Sequence, residues 1–317
     1  MRVLLTGGSG DLGTRLIPQI AAAGDAPSVI DPAPPRAEGI RHTAASITDR
    51  DALAEAMKDV DCVVHIAAWH GIHEANGTKT PADFHDLNVT GTFNVLQAAV
   101  DAGVKKVLFI SSTSVSHPHN IYGNSKLVGE SIVEAFAHRH DMDAITLRPR
   151  AFIPADNKSV YKSFAEWALW YARGAVHVDD VAQAVMKGID YLKTHDDFTP
   201  KAPIFTVDGA HDYTAQDLEH WDQDGPGTTF EKHYPGMAAL AIKHGLDPAK
   251  KPKVLEMEDT VHVLGYTPQY SMRNMLDDLK RWDKTRGGGG ARPGRKGADR
   301  GGERATGRRT TERGGAG

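Results

Sequence analysis

Short apolar runs alternating with amphipathic stretches set the rhythm of residues 1–150. Residues 3–5, 28–30, 62–66, 107–110 and 144–147 are apolar almost throughout. Strands buried on both faces read this way, whereas a half-exposed sheet alternates apolar and polar positions. The intervening segments 12–23, 51–57, 89–102 and 126–137 place apolar residues at helical spacing. This alternation predicts an α/β fold built on a Rossmann-type, doubly wound parallel sheet. After Arg148 the rhythm loosens: residues 179–192 predict a helix, 204–207 a strand and 271–282 a last amphipathic helix. Those pieces are too few for a second sheet-based unit. The expected organisation is a core over 1–150 followed by a small C-terminal cap over 151–285, with segments returning to the core. Such a cap folds on the carboxyl edge of the sheet, where ligands of open α/β folds bind.

Composition changes the picture at the far end. From Arg286 to Gly317 the chain is Gly, Arg and Thr with no large apolar residue, and carries nine Lys or Arg against three acids. A segment of that kind cannot offset its ordering entropy, so 286–317 is expected to be a disordered tail. Since the whole chain of 317 residues has a net charge of -4, the body is clearly acidic and offers no basic surface for nucleic acid. Cys62 is the only cysteine, which excludes an internal disulfide and fits a reducing compartment. No apolar run approaches the roughly 20 residues that span a bilayer. A strand at the very start leaves no room for a cleaved leader, and the expectation is a cytoplasmic protein without a membrane anchor.

Candidate chemistry begins at the first strand. Thr6-Gly7-Gly8-Ser9-Gly10-Asp11-Leu12-Gly13 follows it directly and opens the first helix, the place of a dinucleotide-binding turn. Gly7 permits the tight turn, Gly10 lets main chain approach a pyrophosphate, and Gly13 lets helix and strand pack closely. Asp31 ends the second strand, 18 residues after Gly13. A carboxylate there accepts hydrogen bonds from both adenosine ribose hydroxyls and repels a 2′-phosphate, so NAD is the expected cofactor. Arg36 on the same loop leaves some NADP use open.

A second constellation lies at the fifth predicted helix. Tyr122 and Lys126 are four positions apart, on one helical face. Phenol is a poor base at neutral pH, and a nearby ammonium favours its ionised form. The pair therefore suits proton transfer at a hydroxyl while hydride moves to or from nicotinamide. Ser111-Ser112-Thr113 ends the preceding strand, where a hydroxyl can bind the substrate oxygen and orient the phenol.

Together these motifs resemble the extended short-chain dehydrogenases/reductases, the NAD-dependent epimerase/dehydratase family. Further matches are His65-Ile66-Ala67-Ala68, Asn88-Val89-Thr90-Gly91-Thr92, Val178-Asp179-Asp180-Val181-Ala182 and Leu264-Gly265-Tyr266-Thr267-Pro268. The resemblance implies that Ser112, Tyr122 and Lys126 are catalytic. It implies a cofactor site of Gly7, Gly10, Asp11, Leu12, Gly13, Asp31, Ile47, Ala67, Ala68 and Asn88, with Tyr122 and Lys126 beside the nicotinamide. Ser46 stands where the family has an acid before the adenine contact, which leaves Ile47 to make that contact.

Departures bear on the substrate. Ser112 and Tyr122 are only ten positions apart, where related epimerases have a longer substrate-contacting loop, and Ala151 stands where many nucleotide-sugar enzymes have an asparagine. His70, Thr113 and Arg150 are the candidate substrate contacts; for Arg150 a structural ion pair is the competing role. The sixteen histidines, including His73, His117 and His119, lack an accompanying ligand set, so no metal is expected. Trp167, Trp170 and Tyr171 read as cap packing, and Asp179 and Asp180 as helix-capping acids. The expected function is NAD-dependent oxidation at a carbinol carbon of a sugar or nucleotide sugar, as an epimerase or dehydratase. Its rivals are a dehydrogenase of a smaller free sugar or alcohol that releases NADH, and a non-catalytic NAD-sensing scaffold. A homodimer through the helices that carry Val89 and Lys126 is the expected assembly.

Overall fold

The computed structural model describes residues 1–117, 119–196 and 201–287. Seven strands form one fully parallel sheet: β1 (Arg2–Thr6), β2 (Ala26–Ile30), β3 (Arg41–Thr43), β4 (Cys62–His65), β5 (Lys106–Ile110), β6 (Asp143–Pro149) and β7 (Ile204–Val207). Their spatial order is β3-β2-β1-β4-β5-β6-β7. The chain builds outward from β1 to β3, returns to the centre and builds the other way, so the order reverses between β1 and β4. Thr6 pairs with Ile30 on one side and His65 on the other, and the main chain beyond those residues opens the crevice in which doubly wound folds hold ligands. Helices cover both faces. Against one face pack Leu12, Leu16 and Ile20 of Asp11–Ala22 and Val181, Val185 and Ile189 of Val178–Thr194. Against the other pack Val95 and Ala99 of Gly91–Asp101 and Val133 and Ala137 of Ile121–His140. This burial on both faces is why strand residues such as Val63, Val64 and Leu108 are apolar without alternation.

Some elements depart from the sequence expectation. Strand β3 is only three residues long and carries polar Arg41 and Thr43, so it gave no apolar signal. The helix expected from Val89 is preceded by a π-helical segment, His85–Thr90. The C-terminal part contains the short helices Phe164–Tyr171, Ala215–His220, Thr228–His233, Ala238–Lys243 and Glu258–Leu264, around a separate cluster including Trp167, Tyr171, Phe230, Tyr234 and Leu279. Trp167 and Tyr171 therefore serve packing, and Trp167 and Tyr171 stack with ring centroids 5.0 Å apart. Asp180 is buried and accepts the Gln269 and Tyr270 amides at 2.8 and 3.0 Å; its carboxylate ties down a distant turn. The last helix, Met272–Gly287, runs into the segment expected to be tail, and residues 288–317 of that tail lie outside the described residues. No helix among the described residues is long and apolar enough to cross a membrane.

Candidate active site

The glycine turn sits at the reversal of strand order. Gly7 adopts φ +68°, and a Cβ there would lie 2.8 Å from the Ala67 Cα, so only glycine lets the ends of β1 and β4 approach this closely. A Cβ on Gly13 would lie 2.1 Å from the Gly8 carbonyl oxygen, which shows that Gly13 seats the helix on the turn itself. At Gly10 a Cβ would meet only the Gly7 oxygen, at 3.4 Å. No side chain caps the Asp11–Ala22 helix, which leaves the amides of Asp11, Leu12 and Gly13 available to an anion. The side chains of the first two are used elsewhere: Leu12 is in the core, and Asp11 accepts Asn157 Nδ2 at 2.8 Å. Asp31 stands beside the turn, accepting the Ser9 amide at 3.2 Å and the Ala33 amide at 2.9 Å. Ile47 is fully buried, a Cβ on Gly91 would touch its side chain at 2.6 Å, and its carbonyl accepts Asn94 Nδ2 at 3.4 Å. Its role in this structure is packing beneath the crevice.

Ser112, Tyr122 and Lys126 come together at the ends of β5 and the Ile121–His140 helix. Burial raises the Tyr122 phenol above its ordinary pKa, and the nearby Ser112 side chain opposes that rise. Ser112 also accepts the Ser114 amide at 3.1 Å and thereby starts the short turn Thr113–Ser116. Lys126 is buried, donates from Nζ to the Ile110 carbonyl at 2.8 Å and lies 5.0 Å from the centre of the Phe109 ring. Burial pulls its pKa down to about 7, against the opposing charge of Glu130. An ammonium acting on the phenol was expected from the spacing of four; instead Lys126 is turned to β5, and burial and Ser112 act on Tyr122.

A buried hydrogen-bond chain links the glycine turn to this pair. Thr92 donates to the Asn88 carbonyl at 2.6 Å, so it accepts from His65 Nε2 at 2.9 Å, and His65 Nδ1 accepts from Thr6 at 2.7 Å. The network thus assigns the neutral Nε2–H tautomer. Burial, with Lys126 nearby, holds the His65 pKa down at about 3. The Thr6 hydroxyl oxygen in turn accepts the amides of Ile66 and Ala67, each at 3.2 Å. Asn88 donates to Ser125 Oγ at 2.9 Å, and Ser125 donates to the Tyr122 carbonyl at 2.8 Å. Asn88 also holds the main chain of Trp69, accepting its amide at 2.7 Å and donating to its carbonyl at 3.0 Å. Behind Ser112, Ser111 donates to Glu130 at 2.5 Å, and Glu130 pairs with Arg148 at 2.5 Å. Of these residues the sequence gave a site role to Asn88 alone; Thr6, His65 and Thr92 stood only as parts of matched motifs, and Ser125 and Glu130 contribute through contacts that no local pattern announces.

Segment 69–75 forms a cleft wall. His70 is open to the cleft, yet enough protein surrounds its ring to lower its pKa to about 4, helped by Lys126 and His73. Lys79 lies 3.9 Å from the centre of the Trp69 ring. A Cβ on Gly71 would lie 3.1 Å from Tyr122 Cδ1. Glu74 accepts the Ile121 amide at 2.8 Å and the Tyr122 amide at 2.9 Å. Ala67 and Ala68 are half-buried where β4 enters this wall, and Thr113 is half-buried just after β5; His117 and His119 are exposed. Arg150 is committed to structure: its Nε lies 3.0 Å from Asp208 Oδ1 and its Nη2 donates to the Lys253 carbonyl. Beside that pair, at the carboxyl ends of β6 and β7, is a cavity of about 470 Å³ lined by Arg173, His211, Tyr213, Lys250 and Lys251 among others.

This fold and this turn suit a bound dinucleotide, and comparison with known sequences gives the class: the profile of the NAD dependent epimerase/dehydratase family matches residues 3–198. The chain belongs to that family and is an NAD-dependent enzyme. It is 27% identical over 182 residues to the L-arabinose 1-dehydrogenase (NAD(P)(+)) of Haloferax volcanii, a match covering 49% of this chain and 68% of that one. It is 22% identical over 245 residues to the UDP-glucose 4-epimerase of Vibrio cholerae, covering 68% of this chain and 73% of that one. Among solved structures, MoeE5 in complex with UDP-glucose and NAD shares the fold with a TM-score of 0.66 at 19% identity, over 90% of this chain and 99% of that one. The family, fold class and cofactor expected from the sequence are thereby met.

Proposed function

We propose that the enzyme oxidises a carbinol carbon of a sugar or nucleotide sugar, with Tyr122 as the proton acceptor. The observation that carries this reading is the Ser112 side chain beside the buried Tyr122 phenol, near enough to oppose the rise that burial gives its pKa, on the same sheet edge as a helix start left without a side-chain cap. NAD, when bound, supplies the hydride acceptor. The residues suited to hold it are Gly7 and Gly10, the amides of Asp11 to Gly13, the Asp31 carboxylate, and Ala67, Ala68 and Asn88 at the end of β4. Ser112 donates to the substrate oxygen, while Tyr122, once its own proton has passed to solvent, takes the hydroxyl proton as the phenolate. Lys126, one helical turn along and bonded to the Ile110 carbonyl at the end of β5, has its pKa drawn down by burial to about 7, so near neutrality it can hold or give up a proton at that strand end. His70 and Thr113 stand where a sugar would enter.

In an epimerase or dehydratase the hydride returns to the sugar within one cycle; in a dehydrogenase NADH leaves. Arg173, Lys250 and Lys251 at the cavity beyond the cleft supply charge for a phosphate-bearing substrate and support the first reading. The single short turn Thr113–Ser116, in place of a longer loop, supports the second. Incubation with NAD and either L-arabinose, a sugar acid or UDP-glucose separates them: stoichiometric NADH marks a dehydrogenase, and isomer formation without NADH an epimerase. Tyr122→Phe is expected to lower turnover by about a hundred- to ten-thousand-fold with NAD affinity unchanged by calorimetry; unaltered turnover would remove the assignment. Phe93, 40% exposed, and Leu127, 36% exposed, lie on the Gly91–Asp101 and Ile121–His140 helices and support a homodimer through that face, which light scattering tests. Cell fractionation tests the cytoplasmic location.

A further inference from the structure

Tyr122 is held from more sides than its place in a helix requires. Asn120 already caps the helix, accepting the Gly123 amide at 2.5 Å. The preceding amides, those of Ile121 and Tyr122, would ordinarily go to water. Here each meets one oxygen of the Glu74 carboxylate, which comes from a different segment and must be ordered to reach them. The same segment brings Gly71 against the phenol ring, and through Trp69 and Asn88 it reaches the Tyr122 carbonyl by way of Ser125. Amide, ring and carbonyl of one residue are thus fixed by one cleft wall. Neutral donors and acceptors would have been enough to satisfy hydrogen bonding; a full negative charge beside the first turn does more, because it favours the helix start and opposes a second anion close by.

We infer that Glu74 is the positioning residue for Tyr122: it locks the phenol's helical turn to the cleft wall that carries Trp69 and His70, and it helps set the pH at which the phenol ionises. This inference rests on the reading of Tyr122 as the acid–base group. The groups packed around the phenol are few. Glu74, with His70 on the same segment, lies on one side, and Lys126 is on the tyrosine's own helix. Ser112 approaches from the end of β5, and the Phe84 ring from the Pro81–Phe84 helix, with centroids 6.5 Å apart. Of these, Glu74 holds the negative charge bonded to the Tyr122 main chain.

Phenolate absorbance, recorded as a pH titration of the full chain and corrected by subtracting the Tyr122→Phe protein, isolates this one tyrosine without any substrate. Glu74→Gln keeps the size and one acceptor and removes the charge. The expected result is ionisation at a pH lower by about half a unit, with a slightly lower thermal midpoint and NAD affinity unchanged. Glu74→Ala also frees the turn, and is expected to broaden the titration and, on any substrate accepted by the parent, to lower kcat about tenfold with KM for NAD unchanged. A Tyr122 titration that coincides with the parent's in folded Glu74→Gln would overturn the inference. That outcome is separate from the Tyr122 assignment, which stands or falls on turnover by Tyr122→Phe.

Discussion

His65 shows how a residue with no direct part in the chemistry can govern the site around it. Its imidazole must stay neutral to accept from Thr6 and donate to Thr92. Because burial holds its folded-state pKa at about 3 against a usual 6.5, the unfolded chain binds the proton more readily. Its contribution to stability is complete above pH 6.5 and is lost as the pH falls towards 3. In urea unfolding, His65→Asn is expected to cost about 1–3 kcal/mol near neutrality and to flatten the loss of stability between those pH values; an unchanged acid slope would show that other groups carry it. The contrast with Tyr122 and Lys126 is instructive. Those two were legible because their spacing of four has a chemical meaning, and Asp31 because it follows a strand at a set distance from the glycines. His65 was visible only as part of a motif, and Ser125 and Glu74 not at all; their hydrogen bonds reach Thr6, Thr92, Asn88 and the main chain of Ile121 and Tyr122, partners that residue order does not link to them.

Elements were legible in proportion to their length and burial. The helices Asp11–Ala22 and Val178–Thr194 and the central strands carry enough apolar positions to declare a period. The six-residue helices Ala215–His220, Thr228–His233 and Ala238–Lys243 do not, and their placement depends on aromatic packing such as Phe230 on Tyr234, with ring centroids 4.9 Å apart. The π-helical segment is another such case: the wider turn leaves Asn88 buried and facing Trp69 and Ser125, a feature of tertiary contacts. Junctions are where a small change reaches an element. In Gly13→Ala the added methyl would press on the main chain of Gly8, which cannot rotate away. The expected result is a loss of about 1–3 kcal/mol in stability and at least about a tenfold weaker NAD affinity by calorimetry; parent-like binding would show that the turn tolerates displacement.

Across the whole molecule, the last strand is joined to its neighbour by more than the ladder. Arg150, just after β6, and Asp208, just after β7, form a buried pair, and Asp208 also accepts His211 at 3.0 Å and the Leu255 amide at 3.2 Å. Loss of one partner leaves an uncompensated buried charge, so Arg150→Ala is expected to cost about 3–5 kcal/mol in urea unfolding, and the double change Arg150→Met with Asp208→Leu much less. Equal costs would mean that the pair itself stabilises the fold.

A parallel sheet with its order reversed at the centre sends the proposed site residues to one rim. Among the described residues the opposite rim carries returns from helix to strand, among them Gly24 and Gly103, where an added Cβ would touch nothing within 4 Å. The enzyme therefore has an idle side as well as a working one. An affinity peptide or a fluorescent module spliced in after Gly103 would hang from the idle side, giving a handle for immobilisation that keeps clear of the cofactor crevice.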